Sequence, residues 1–417
     1  MRERNNIIME YGTYMLVFLA SYIASLAGLY YLSGILLMGE ALYLYVHWVR
    51  ETGSLVELRA LFTLAWVGGQ GIACMQLSKL QSDWQYITWL SFFLIYIGFG
   101  IGYEWGRKYG KVEERELEKN EFQSGRLFIC IIGLMAVSIA CFVFEAIKVG
   151  FIPLFSDEPH AYSYFHVSGV HYFTISLYSD TGHHDPVPKS EQTHRMEENS
   201  STGTGKLYGR SSAVLMRIQI PELLFAVGFA VVTYIMVNKR IRLRTMVILL
   251  VALVPVYIIL TVFRHHDVTY LNSIFEMKYS KMPIFITQPY MYVANNFENF
   301  NCMVAQLTEH TYGLKMLFPF FALTGLKFLY PQLVSFPIFL TKKELTTLTM
   351  FYDAYYDFGI VGVFIFAVII GAVAKVLMSV VKKSQNPVSY LFYGQIAIYL
   401  GLAFLPPGSA ILRLGSG

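Results

Sequence analysis

The sequence predicts an all-α integral membrane protein, a polytopic helical bundle, and three observations predict it. Only 14% of its 417 residues are charged, against 55% hydrophobic and 16% aromatic, where a soluble chain carries about 25% charged residues. Mean hydropathy is +0.48. The charges fall into short clusters between long uncharged runs, each near the ~20 apolar residues that a spanning helix needs. Lipid offers no partner to an unpaired peptide group, so such runs are expected to be helices rather than open strands. This composition excludes a cytosolic enzyme, a disordered chain and a nucleic-acid-binding protein, and a net charge of +4 gives no field to steer polyanions.

Taken in order, Tyr11 to Val49 accommodates two helices joined tightly near Gly28 to Gly34. Ala60 to Ser78, Trp84 to Tyr103, Leu127 to Phe144, Leu223 to Asn238, Thr245 to Phe263, Phe358 to Ala374 and Val388 to Leu405 follow, making about nine spans. The first run is long and leads directly into another, which argues against a cleaved signal peptide. Arg2, Arg4, the Arg50 to Arg59 and Arg107 to Arg126 segments, Lys239 to Arg244 and Lys382-Lys383 all fall on one side of that count, which makes it the cytoplasmic side.

The same parity sends two long segments outside, Val149 to Gln219 and Arg264 to Asp357, within one polytopic domain. The first contains a polar insert, Ser179 to Ser212, with the composition of an exposed linker. The second contains an apolar stretch, Leu314 to Thr341, interrupted by Lys315, Lys327 and three prolines, which suits interfacial or re-entrant helices better than a full span. The four cysteines show no CxxC or metal-ligand spacing, so neither a structural zinc nor a disulfide is expected. No metal or other cofactor is expected, and no nucleotide-binding motif is present.

The chemistry is expected in the exterior segments. In the first, Pro153 and Pro159 shape a turn that places Asp157 and His160 at the water interface amid phenylalanines and tyrosines, a mixture suited to sugars, though also to an interfacial aromatic belt. In the second, Arg264, His265, His266 and Asp267 stand where a span ends. An arginine there can hold a diphosphate, or can snorkel to headgroups. The histidines are candidate acids or bases. Arg210 and Arg217 are further anion-binding candidates at the opening of the Leu223 span. Asp353 and Asp357, four apart, would share a helical face beside Tyr352 and Tyr356. Carboxylates at membrane depth are functional candidates, and capping a helix N-terminus is the other reading open to them.

With Gly150-Phe-Ile-Pro-Leu-Phe, the Tyr290 to Asn301 stretch and the Tyr352 to Gly362 run YDAYYDFGIVG in view, the chain resembles the bacterial O-antigen and capsule repeat-unit polymerases of the Wzy type. The resemblance spans roughly Leu16 to Leu405. It implies a metal-independent, multi-pass glycosyltransferase of the bacterial inner membrane whose active site faces the periplasm. Its donor would be an undecaprenyl-diphosphate-linked oligosaccharide, its surroundings membrane lipid, and a chain-length regulator protein a possible partner. Exterior-loop arginines are expected to matter, mapping to Arg264 and to Arg210 or Arg217. An O-antigen ligase-type transferase and a lipid-linked oligosaccharide flippase remain alternatives. The near absence of charge within the runs favours chemistry at the outer face over passage through the middle.

Overall fold

The computed structural model describes residues 2–109, 124–152, 268–279, 281–333, 335–383 and 387–405, together with positions 165, 167, 170, 231, 232, 234 and 235. Among these residues every regular element is helical: α1 (Arg2–Leu26), α2 (Tyr30–Thr52), α3 (Leu58–Cys74), α4 (Tyr86–Tyr109), α5 (Ser124–Val149), α6 (Val268–Phe275), α7 (Ile284–Gln306), the short α8 (Phe318–Leu323) and α9 (Leu326–Leu329), a 3-10 turn at Pro331–Leu333, α10 (Tyr352–Lys383) and α11 (Pro387–Gly401). Four stretches are long and apolar enough to cross a membrane: Ile7–Leu26, Tyr30–Thr52, Tyr86–Arg107 and Tyr352–Val381. The Leu223 to Asn238 and Thr245 to Phe263 runs lie almost wholly outside the described residues.

The chain folds as two compact units. One comprises Met1–Glu113, Val268–Lys382 and Tyr399–Leu412; the other comprises Glu114–Asp267, Lys383–Ile398 and Arg413–Gly417. In the second unit α5 packs Phe142 against Phe165, with ring centroids 5.6 Å apart. There the backbone N–H of Val167 donates to the Glu145 carboxylate at 3.0 Å.

In the first unit, α1 and α2 form an antiparallel hairpin through a tight turn at Gly28. Its register is marked by the Ser21 and Ser33 hydroxyls, 2.7 Å apart. α2 ends where Gly53 turns left-handed and its N–H reaches the Val49 carbonyl. α3 then starts on Glu57, whose side chain accepts from the Ala60 N–H at 2.6 Å, satisfying one of the open donors of a helix start. α3 is the central helix, buried along most of its length. Its Gly71 meets Gly34 of α2 so closely that a methyl at either position would lie within 2.8 Å of the other's carbonyl oxygen.

Gly98, Gly102 and Gly106 of α4 form a second close seam. Methyls there would strike the backbone of Phe364, Val368 and Ala372 on α10, and one at Gly371 would strike Phe99. Contact positions rise together along both helices, so α4 and α10 run parallel. Small residues at four-residue spacing allow this approach, which is a common way for helices to associate in lipid.

The Arg264 to Asp357 segment differs from the expected loop. It contains α7, a helix of 23 residues with Asn295, Asn296, Glu298, Asn299 and Asn301 buried while Phe285 and Ile286 are exposed. Its polar face turns inward because polar partners await it there, so its hydropathy reads as loop. The Leu314 to Thr341 stretch makes only the short elements α8, α9 and the 3-10 turn, as its prolines dictate. Arg59, counted above as a loop anchor, lies in the first turn of α3 and is buried.

Candidate functional site

At the end of the first unit that carries the α3 to α4 turn, α7 packs along residues 77–92. Phe297 inserts between Trp66 (5.3 Å) and Phe92 (5.3 Å), close enough to Gly69 that a methyl there would lie 2.9 Å from its ring. This apolar wedge sets the height of a polar layer. Glu298 accepts from the Ser82 N–H (3.1 Å), the Ser82 hydroxyl (2.5 Å) and the Trp84 indole N–H (3.1 Å). Asn301 accepts from the Gln85 N–H and the Thr88 hydroxyl. Tyr290 donates to Gln81 and accepts from the Leu77 N–H.

Burial pushes the Glu298 carboxyl above its ordinary value, while the bonds from Ser82, Asn301 and Trp84 pull the other way. The Cys302 thiol nearby is pushed up to about 11, by burial first and by Glu298 second. On the other side of α7, Asn299 donates to the carbonyls of Leu345 and Thr347 at 2.8 Å each. Its amide oxygen accepts from the Thr341 N–H, and Asn295 accepts from the Thr341 hydroxyl at 2.7 Å. The side chains of α7 thus supply the partners that residues 341–347 would otherwise lack.

That supported segment delivers the head of α10, where four of the sequence-predicted residues come together. Tyr352 and Tyr356 lie one turn apart with ring centroids 6.4 Å apart. The Lys315 ammonium lies 3.9 Å from the Tyr356 ring centroid and 5.8 Å from that of Tyr352, a desolvated cation–π arrangement. Asp357 accepts from the backbone N–H groups of Lys315 (3.0 Å) and Met316 (2.8 Å) and from the Thr311 hydroxyl. It therefore ties residues 311–316 to α10, as a capping carboxylate does. Lys315, Tyr352, Tyr356 and Asp357 are all buried, whereas Asp353 is only half-buried, so Asp353 is the more exposed of the two carboxylates.

Just past this cluster Gly359 adopts φ +61° and breaks the helical geometry of α10. A side chain there would be strained by its backbone, and its Cβ would lie 2.9 Å from Nε2 of His310. His310 is itself held through Nδ1 to the Tyr356 carbonyl at 3.1 Å.

Arg264, His265, His266, Asp267, Asp157, His160, Arg210 and Arg217 lie outside the described residues. Sequence reasoning missed Lys315, Glu298, Asn295 and Asn299 as members of the layer. The usable signal was the spacing of Gln288, Asn295, Asn299 and of Glu298, Asn301, which is helical rather than loop-like.

Comparison of the chain with protein-family models, with curated proteins and with solved structures finds no match.

Proposed function

We propose that this chain polymerises undecaprenyl-diphosphate-linked oligosaccharide repeat units at the outer face of a bacterial inner membrane. The observation that carries the reading is the head of α10: a half-buried carboxylate, Asp353, on the first turn of a helix long and apolar enough to span, braced by the buried Lys315, Tyr352, Tyr356 and Asp357. The resemblance carried by Tyr352 to Gly362 supports the same residues. In this reading Asp353 takes the proton from the acceptor hydroxyl as it attacks the anomeric carbon of the donor, with His265 or His266 as the alternative base. Arg264 holds the departing diphosphate through charge-assisted bonds, without a metal. Asp157, His160, Asp267, Arg210 and Arg217 position the sugars and the diphosphate. Tyr352 and Tyr356 act through the rigidity they confer, since both are buried, and Asp357 holds the adjoining loop.

A flippase reading draws support from one observation, the buried ionisable groups of α1 to α4, which the hydropathy of those runs conceals. Glycan length by gel, in a host deleted for its own polymerase, tests the two. Restoration of a ladder by the chain, with Asp353→Asn and Arg264→Ala leaving single repeat units at equal expression, supports polymerisation. Single units that reach the outer surface only when this chain is present, with no ladder, would replace it with translocation.

A further inference from the structure

At the opposite end of the same unit from Ser82 lies a set of ionisable groups that the proposed chemistry does not use. Arg59 is bound by both oxygens of Glu10 and by Glu104 at 2.6 Å, and its guanidinium lies 4.2 Å from the Trp48 ring centroid. Tyr96 donates to Glu10 at 2.6 Å. Glu104 is also paired with Arg107 at 3.3 Å, so two carboxylates meet two guanidinium groups, as buried charges require.

Glu40 is different. It lies in α2, 7% exposed, and the antiparallel register marked by Ser21 and Ser33 brings position 40 opposite Thr13 and Tyr14 of α1. The Thr13 hydroxyl lies beside its carboxyl, yet Glu40 Oε1 has no hydrogen-bond partner among the described residues. The Tyr14 hydroxyl, which neighbours it, and both side-chain amide atoms of Gln70, on α3 near the level where Gly68 meets Ala41, are fully buried and likewise have no partner among the described residues, nor does Nε2 of His47 two turns along α2. Gln70 shares a face of α3 with Arg59 and Thr63 through the 59, 63, 66, 70 spacing.

An ionised carboxylate in such a place carries a large desolvation cost unless a cation meets it, and Arg59 is already shared between two other carboxylates. We propose that Glu40 is a reversible proton-binding site inside the α1 to α4 cluster. One proton adds to Oε1, the carboxylate becomes a neutral carboxyl, and the proton returns to bulk water when the site empties. Of the titratable groups, Glu10 and Tyr14 from α1 face the carboxyl; Arg59 from α3, with Tyr11 from α1 and Tyr96 and Glu104 from α4, adjoins it through Glu10, and His47 lies two turns along α2. The inference stands apart from the polymerase reading.

Dicyclohexylcarbodiimide adds to protonated carboxyls in apolar surroundings and provides the test. The full chain, purified in lipid vesicles, is treated from about pH 5 to about pH 9 and the adduct is located by peptide mass spectrometry. The expected adduct lies on the peptide carrying Glu40, falls about tenfold per pH unit above its midpoint, and is absent from Glu40→Gln. Tyr14→Phe, which keeps the ring and removes the hydroxyl, is expected to shift that midpoint. Because the wild-type chain itself carries the readout, a Glu40→Gln protein that fails to fold leaves the test intact. Labelling of Glu10 or Glu104 without Glu40, a pH-independent yield at Glu40, or no adduct there while the unfolded chain is labelled, would each overturn the proposal.

Discussion

The Lys315 ammonium sits 3.9 Å from the centroid of the Tyr356 ring while the backbone N–H of the same lysine donates to the neighbouring Asp357 at 3.0 Å. One residue thus joins the 311–316 loop to α10 through both its side chain and its main chain. Lys315→Met keeps the stem and removes the charge, so it is expected to cost about 2 kcal/mol, the scale of a desolvated cation–π contact. Lys315→Arg is expected to cost less. Thermal unfolding of the detergent-solubilised protein checks the order.

Asp353 and Asp357 are expected to separate by role. Asp357→Ala strands two backbone donors and a hydroxyl, at about 1–3 kcal/mol for a buried group left unsatisfied. Asp353→Asn, at a half-buried position, is expected to change stability by under about 1 kcal/mol and yet to abolish chain growth. Melting temperature and glycan length measured on the same two variants test this, and the reverse pattern would move the proposed base from Asp353 to Asp357.

Glu298 gives the α7 layer a pH dependence whose sign follows from its raised carboxyl. Folding favours the protonated form. Its contribution is therefore fully present below the ordinary carboxyl value of 4.5 and is lost as pH rises through the higher folded-state value. Melting temperature against pH is expected to fall over that window, and Glu298→Gln, which keeps the shape and one of the two acceptor oxygens, is expected to flatten the slope. The buried Cys302 thiol, pushed up to about 11, is expected to alkylate slowly at neutral pH, with roughly a hundredfold less thiolate than the unfolded chain.

The α4 to α10 seam leaves no room for a side chain. Gly102→Leu would drive a branched side chain into the Val368 backbone and is expected to cost at least about 3 kcal/mol. Gly12→Ala, with nothing near its Cβ, serves as the neutral control in the same melting experiment.

Much of this fold was legible in hydropathy because apolar run length is the property that lipid selects. The α1 to α2 hairpin, α3, α4, α5, α10 and α11 fall where uncharged runs predicted helices. α7 escaped because hydropathy averages over a helix and cannot see that Asn295, Glu298 and Asn299 point at polar partners in residues 82–88 and 341–347. Arg59 looked like a loop charge because Glu10 and Glu104, its counter-charges, are distant in sequence. Gly98, Gly102 and Gly106 were visible as letters, but what they admit, the backbone of α10, lies more than 250 positions away. Of the candidate site, the Tyr352 to Asp357 turn was readable from helical spacing. Lys315 required the fold, since nothing local links it to a tyrosine 41 positions on.

The most direct measurement places the purified chain in vesicles with a synthetic undecaprenyl-diphosphate-linked repeat unit and follows glycan length and released undecaprenyl diphosphate together. The account predicts dimers and longer glycans, one diphosphate released per linkage, no requirement for a divalent cation, and loss of both products in Asp353→Asn. Transfer of the repeat unit across the bilayer with neither elongation nor diphosphate release would contradict it.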